Sequence, residues 1–553
     1  MNSSDEVVII TSLGSWHRPV IEGLSFQTLG FMVLKHIQHA YQQSRRRWVR
    51  GLLLCGLLLV PGATLLANYS TGVFSGKPYE PDDLDLSLPS DSSNQLPELG
   101  DASQTVLSLR DEEKIAHQIL KQVATSEDVL DDAEVTDYLQ ALGTRLGESS
   151  PDRQQRFYFF VVQDKTINAF AMPGGVIGVH TGLFMAANSE SELASVLGHE
   201  IGHVTQHHLA RMLASQKYDM FKNIAATALA LLIARSNPQV GMGAMTAASA
   251  AGIQKQLDYT REHEREADRV GLTILQDAGF DVRAMPAFFT TMQRATRFSD
   301  GGSMPSYLRT HPLTSERIAD IGNRVQNLPY KQVNESLTFF LMRAKIRAFQ
   351  GAPQQMVEEF QNNINEGRYQ NELAEHYGLA YAWLRANQPK QAQVEVDWLV
   401  QHGMANPYLV TLKAVTLAKL GQVPQAQAQF VQGLQQYPKH RILAQGQAES
   451  LIRGNQWPQA VTFIQKQLET FPDDPKLYDW LAAAYQGQGK QMLRHQALGE
   501  SYVRKYDLPR AIDQLEIASK AKDGDFYLQS KVEARLKTLR QQLKLEQGDD
   551  KNG

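Results

Sequence analysis

Cysteine is all but absent from this 553-residue chain, which has only Cys55. A disulfide framework and a thiolate metal site are therefore excluded, and so thiol-poor a chain suits an oxidising compartment. A dominant charge is lacking too. The net charge of −4 comes from 55 basic and 59 acidic side chains, so no field of one sign points to nucleic acid. Long apolar runs are scarce. The stretch Ile224 to Ala234 is only 11 residues, too short to span a bilayer. What is present is length, enough for more than one domain with sizeable cores.

Residues 44–67 are the exception among apolar runs. Ser44-Arg45-Arg46-Arg47-Trp48-Val49-Arg50 is basic, and Gly51 to Ala67 is uncharged, Leu-rich and ends in small residues. That is the pattern of a Sec-type signal peptide, with cleavage near Ala67. The competing reading is an uncleaved anchor, because uncharged sequence continues to Gly76. Residues 1–43 form an unexplained extension, and a start at Met32 would bring the signal close to the N-terminus. Residues 68–101 are acidic and rich in Pro, Ser and Asp, a composition suited to a linker.

The densest chemistry lies at 189–210, where the spacing predicts one helix. Ser189 with Glu192 reads as a capping box. Leu193, Val196, Leu197, Ile201 and Val204 form its core-facing stripe. His199 and His203, four apart, then stand one turn above each other with Glu200 beside them. This is H-E-x-x-H: two imidazoles for a zinc ion and a carboxylate to handle protons. Zinc would acidify a water, and Glu200 as general base would take its proton and pass it to the leaving amine.

Such a site needs a third ligand. His207 and His208 lie further along the expected helix and cannot swing back without breaking it. A metzincin would need a histidine at position 209, which is Leu209. Glu264, on a charged helix with Asp268 four residues on, can reach the metal while Asp268 takes an imidazole N–H; the alternative is a solvated face of internal ion pairs. Upstream, Arg156 to Gln163 reads as a strand. Pro173 then places the segment 168–180 at a turn or sheet edge. Asn168, Ala169, Phe170 and Ala171 are candidates to bind an extended peptide by strand addition, or else form an ordinary hairpin arm.

His199-Glu200-x-x-His203, Glu264-x-x-Ala267-Asp268, Asn168-Ala169-Phe170-Ala171-x-Pro173-Gly174-Gly175 and Arg309-Thr310-His311-Pro312 together resemble the HtpX/CAAX-prenyl-protease family of gluzincins. The resemblance covers about residues 100–545. It implies a zinc metalloendopeptidase with one Zn²⁺ per chain held by His199, His203 and Glu264. Asp268 would be an outer partner or proton donor. His311 would be an oxyanion donor or a regulatory fourth ligand. Between these motifs, 221–252 has no acidic residue and is rich in Ala, Met and Gly. It is expected to be a mobile lid or a point of peripheral membrane contact, the competing reading being a buried helix.

Beyond residue 335 an internal period appears. Gly421, Gly454 and Gly487 are 33 apart, and Tyr437-Pro438 recurs as Phe471-Pro472, which is the tetratricopeptide pattern. The expected fold is mainly α with a small β-sheet: a zincin metalloprotease domain at 102–330, then an α-solenoid of tetratricopeptide repeats at 335–545. With the signal and the repeats, the resemblance implies a periplasmic branch of the family. Its clients would be unfolded or stalled outer-membrane β-barrel proteins, and its partner the barrel-assembly machinery, with chaperone-like activity beside proteolysis. The alternative is a non-proteolytic chaperone or adaptor with a vestigial zinc site.

Overall fold

The computed structural model describes residues 108–215, 250–298, 306–329 and 331–548. The expectations for 1–43, 44–67 and 68–101, and for 221–252 apart from its last three residues, lie outside the described residues. Among the described residues no helix is long and apolar enough to cross a membrane.

Helices α1 (Leu109–Val123) and α2 (Ala133–Glu148) begin where side chains can satisfy their free N–H groups. Asp132 caps α2 by accepting from Glu134 N and Val135 N, each at 3.1 Å. Three strands follow: β1 (Tyr158–Val162), β2 (Ala169–Met172) and β3 (Val176–His180), in the order β1-β3-β2. β3 is buried throughout, runs parallel to β1 from Tyr158↔Val176 and antiparallel to β2 from Ala169↔Val179. The β2–β3 turn is Pro173-Gly174-Gly175. Both glycines have positive φ, and a Cβ on Gly175 would lie 2.1 Å from Arg156 O, so only glycine fits. Among the described residues β2 is thus an edge strand, as Pro173 suggested for the segment 168–180, but the end of that segment, β3, is the central strand because it pairs on both sides.

Next come α3 (Thr181–Ala186), α4 (Glu190–Thr205) and α5 (His208–Ser215). Ser189 caps α4 as expected, accepting from Glu192 N at 3.1 Å; the Glu192 carboxylate reaches one residue further back, to Asn188 N at 2.7 Å. The single helix expected at 189–210 is not formed. α4 ends at Thr205, His207 turns left-handed at φ 49°, and α5 starts at His208.

The 28-residue α6 (Ala250–Asp277) packs against α4 at backbone distance. A Cβ on Gly198 would lie 3.1 Å from Gly271 O, one on Gly202 3.0 Å from Ala267 O, and one on Gly271 2.9 Å from His199 N. Small residues thus let the histidine helix and the glutamate helix touch, which sets the reach of their side chains. Gly271→Val is expected to force them apart. Overpacking of this kind costs about 1–3 kcal/mol, so a thermal melt should show a lower Tm and metal analysis less bound zinc. Gly322→Ala is the control, since no atom lies within 4 Å of its added Cβ.

Helices α7 (Ala284–Phe298), α8 (Ser306–Thr310) and α9 (Ser315–Gln326) complete this part. Twelve more described helices, from α10 (Leu337–Phe349) to α21 (Phe526–Gly548), form the solenoid in antiparallel pairs. One continuous hydrophobic cluster runs from Val135 on α2 through Leu197 on α4 to Val415 in the solenoid. The part completed by α9 and the solenoid therefore share a core.

Candidate metal centre

Three elements bring the site together. α4 presents His199 and His203 on one flank, α6 presents Glu264 opposite, and the residue after α8 is His311. His311 N–H donates to Tyr307 O at 2.8 Å, extending the helical turn, and Pro312 follows at once. His199 Nε2 lies 3.0 Å from His203 Nε2, 3.4 Å from Glu264 Oε2 and 3.4 Å from His311 Nδ1. Glu264 Oε1 lies 3.4 Å from His203 Nε2 and 2.9 Å from His311 Nδ1. Ligands about 2.1 Å from a tetrahedral zinc stand about 3.4 Å apart. These separations fit a zinc ion held by two histidines and a glutamate, with His311 at the fourth corner.

The electrostatics of the two histidines differ: one ring is held neutral and the other charged, so zinc binding would displace a proton from His199. Burial pushes the His203 ring down to about 3, the neutral form a ligand needs. Burial works the same way on His199, but Asp268 and Glu264 overcome it and raise the ring to about 9. Burial also opposes charge on Glu264, yet the surrounding His311, His199 and His203 rings hold its carboxylate well below the usual range. Glu200 is fully buried, and among the described residues neither of its oxygens has a hydrogen-bond partner. The His311 Nε2 atom is 3.5 Å from Glu200 Oε1. A buried carboxylate without hydrogen bonds adds nothing to folding, so its place beside the ligand cluster is a sign of use.

Asp268 stands behind His199, with Oδ1 3.0 Å from Nδ1. Its oxygens also accept from Arg317 Nε at 2.6 Å and Nη2 at 2.7 Å. Burial opposes its charge, but these donors keep its pKa below the ordinary value. Asp268 is thus an ionised acceptor on the side of His199 away from the cluster. Of its two expected roles, orientation of His199 fits this position and proton donation does not.

Arg317 was not anticipated. It is buried, and its Nη1 also lies 2.8 Å from Glu264 Oε2, so one guanidinium braces both carboxylates on α6. The available signal was its place in the apolar stripe of α9, where Arg317, Ile321 and Val325 are the buried positions. His208 was excluded because an unbroken helix would carry it away. The turn at His207 breaks the helix, and His208 Nδ1 comes to 2.8 Å from His203 Nδ1. That is the side of His203 opposite Nε2, so His208 meets the ring and not the ligand cluster.

β2 lies against α4. Ala169 points into the core, while Phe170 and Ala171 are half-buried. No strand pairs with the other edge of β2 among the described residues. Asn168 ends the segment with its carbonyl accepting from His180 N at 3.0 Å and its buried Oδ1 without a hydrogen-bond partner.

Comparisons with known proteins agree with this geometry. The model of "Peptidase family M48" matches residues 133–325. The β-barrel assembly-enhancing protease of Escherichia coli (strain K12) is 30% identical over 453 residues, covering 82% of this chain and 92% of that protein. A putative β-barrel assembly-enhancing protease of Vibrio cholerae is 32% identical over 447 residues, covering 80% of this chain and 92% of that one. A mitochondrial metalloendopeptidase of Arabidopsis thaliana is 32% identical over 157 residues, 28% of this chain and 29% of its own.

Proposed function

This chain belongs to peptidase family M48 and is a zinc metalloendopeptidase, and on that premise we propose that it works in the periplasm on outer-membrane β-barrel proteins. It cuts those that stall or misfold and holds others in a chaperone-like way, in contact with the barrel-assembly machinery. Support for this client class comes from relatives named for β-barrel assembly, which the chain matches over 92% of their length. The observation that carries the proteolytic mechanism is the convergence of His199, His203 and Glu264 beside the buried, unbonded carboxylate of Glu200.

Bound zinc would supply an electrophile for the scissile carbonyl and acidify a water. Glu200 is the proton acceptor, and later returns the proton to the leaving amine. Arg317 fixes Asp268, and Asp268 holds the His199 ring with Nε2 toward the cluster. The open edge of β2, at Asn168, Ala169, Phe170 and Ala171, receives the substrate main chain as an added strand. Because its Nδ1 sits among the ligand atoms, His311 would be a fourth ligand to bound zinc and would close the site at rest; as oxyanion donor it would first have to leave that position.

The test uses purified protein, with an unfolded outer-membrane β-barrel protein and an unfolded soluble protein as substrates. Cleavage should favour the β-barrel protein, stop when zinc is chelated and return with added zinc. Cleavage that survives full chelation would sink the metal-dependent mechanism. Equal cleavage of both substrates would sink the proposed client class.

A further inference from the structure

His199 and His203 need the same support, a partner on Nδ1 that fixes the ring with Nε2 toward the metal position. For His199 the support is direct: Asp268 touches Nδ1, and Arg317 clamps Asp268. No carboxylate reaches Nδ1 of His203 among the described contacts. What reaches it is His208 Nδ1, at 2.8 Å. The other ring nitrogen of His208, Nε2, lies 3.0 Å from Glu266 Oε2, and Arg211 Nη1 lies 2.9 Å from the same oxygen. The buried His208 ring is also held face to face with His263, the centroids 4.2 Å apart and the planes 9° apart.

The proton positions follow from the geometry. With His203 Nε2 in the ligand cluster, its Nδ1 carries hydrogen and donates. His208 Nδ1 must then accept, so His208 Nε2 carries hydrogen and donates to Glu266. The chain His203–His208–Glu266–Arg211 thus parallels His199–Asp268–Arg317, with one imidazole inserted. The broken helix makes this possible. Five residues on, a straight helix would carry a side chain about 140° around its axis; the left-handed turn at His207 returns His208 to the flank of His203. A left-handed histidine is an uncommon backbone state, and here it has an evident use.

We propose that His208, anchored by Glu266 and Arg211, is the positioning residue of the metal ligand His203. The inference rests on the reading of His199, His203 and Glu264 as a zinc site. Loss of such an outer partner typically costs 10–100-fold in metal affinity. The test is competition between full-length protein and a chelator for zinc, paired with visible absorption of the cobalt-substituted protein. His208→Leu should weaken zinc binding about 10–100-fold and alter the cobalt spectrum. His208→Asn, whose oxygen stands near the position of Nδ1 and can still accept from His203, should recover most of both. Glu266→Ala, at a side chain 37% exposed and so tolerated by the fold, should shift affinity the same way by less. Wild-type affinity in both His208→Leu and Glu266→Ala would overturn the inference, as would equal losses in His208→Leu and His208→Asn. If wild type took up no zinc, or His203→Ala held it as tightly, the metal site itself would be disproved.

Discussion

Glu200→Gln is expected to reduce peptide-bond hydrolysis by roughly 10²–10⁴-fold, the usual contribution of a positioned general base, while zinc content stays that of the wild type. The two outcomes separate because Glu200 lies beside the ligand cluster but is not one of the four groups whose donor atoms converge. Glutamine preserves shape in a position with no solvent exposure, so the packing around α4 is retained. Stability should hold or rise, since the substitution replaces a buried carboxylate whose oxygens have no hydrogen-bond partner among the described residues. A higher Tm with lost activity would be the signature of a residue kept for chemistry at the expense of the fold. If hydrolysis continues unchanged in Glu200→Gln, the mechanism proposed for Glu200 fails; if hydrolysis is lost but β-barrel assembly in cells is unchanged, the chaperone-like role does not depend on the cut. Activity and bound zinc, measured on the same preparation, are the readouts.

Short-range features of the fold were legible in the sequence. Ser189 announces the start of α4, Pro173 marks the end of the β2 edge, and the repeat period locates the solenoid. Of the ligand cluster, His199 and His203 were legible from their helical spacing, whereas Glu264 and His311 were reached through the family resemblance of their motifs. What stayed hidden depends on contacts between elements far apart in the chain. Arg317 braces residues 49 and more positions upstream, and an arginine in an otherwise apolar stripe was its only local trace. His208 was dismissed on the assumption of a straight helix. Nothing between Thr205 and Leu209 is Gly or Pro, so no residue there advertises a left-handed turn. The shared core of protease and solenoid was hidden for the same reason, since a boundary read from composition marks a change of repeat and not a gap in packing.

That shared core gives the other large expected effect, on stability. Lys345 on α10, the first solenoid helix, is buried, and its Nζ lies 2.8 Å from Asp132 Oδ2 and 2.7 Å from Glu134 Oε2 at the start of α2. Glu134 Oε2 also accepts from Tyr377 OH at 3.1 Å, and the Lys345 ammonium stands 4.8 Å over the Tyr381 ring. Further along, Arg441 Nε donates to Asp137 Oδ2 at 3.0 Å. Lys345→Ala strips the cation from a buried Glu134 and from Asp132, which also caps α2. Breaking a buried pair from one side costs about 3–5 kcal/mol. Burial opposes the charge on Lys345, but Asp132 and Glu134 overcome it and raise its pKa well above the usual value. A raised lysine contributes stability that is fully present below its unfolded pKa and is lost only as pH rises through the folded one. The deficit of Lys345→Ala should therefore be constant across neutral pH. The double variant Lys345→Met with Glu134→Gln, which leaves no unpaired charge at this pair, should recover much of it. Denaturant unfolding followed by separate probes on α2 and in the solenoid is the measurement. Both probes should move together to a lower midpoint, because one hydrophobic cluster spans both parts. A shift confined to the solenoid probe would show that the two halves unfold independently and that the Lys345 cluster does not join them.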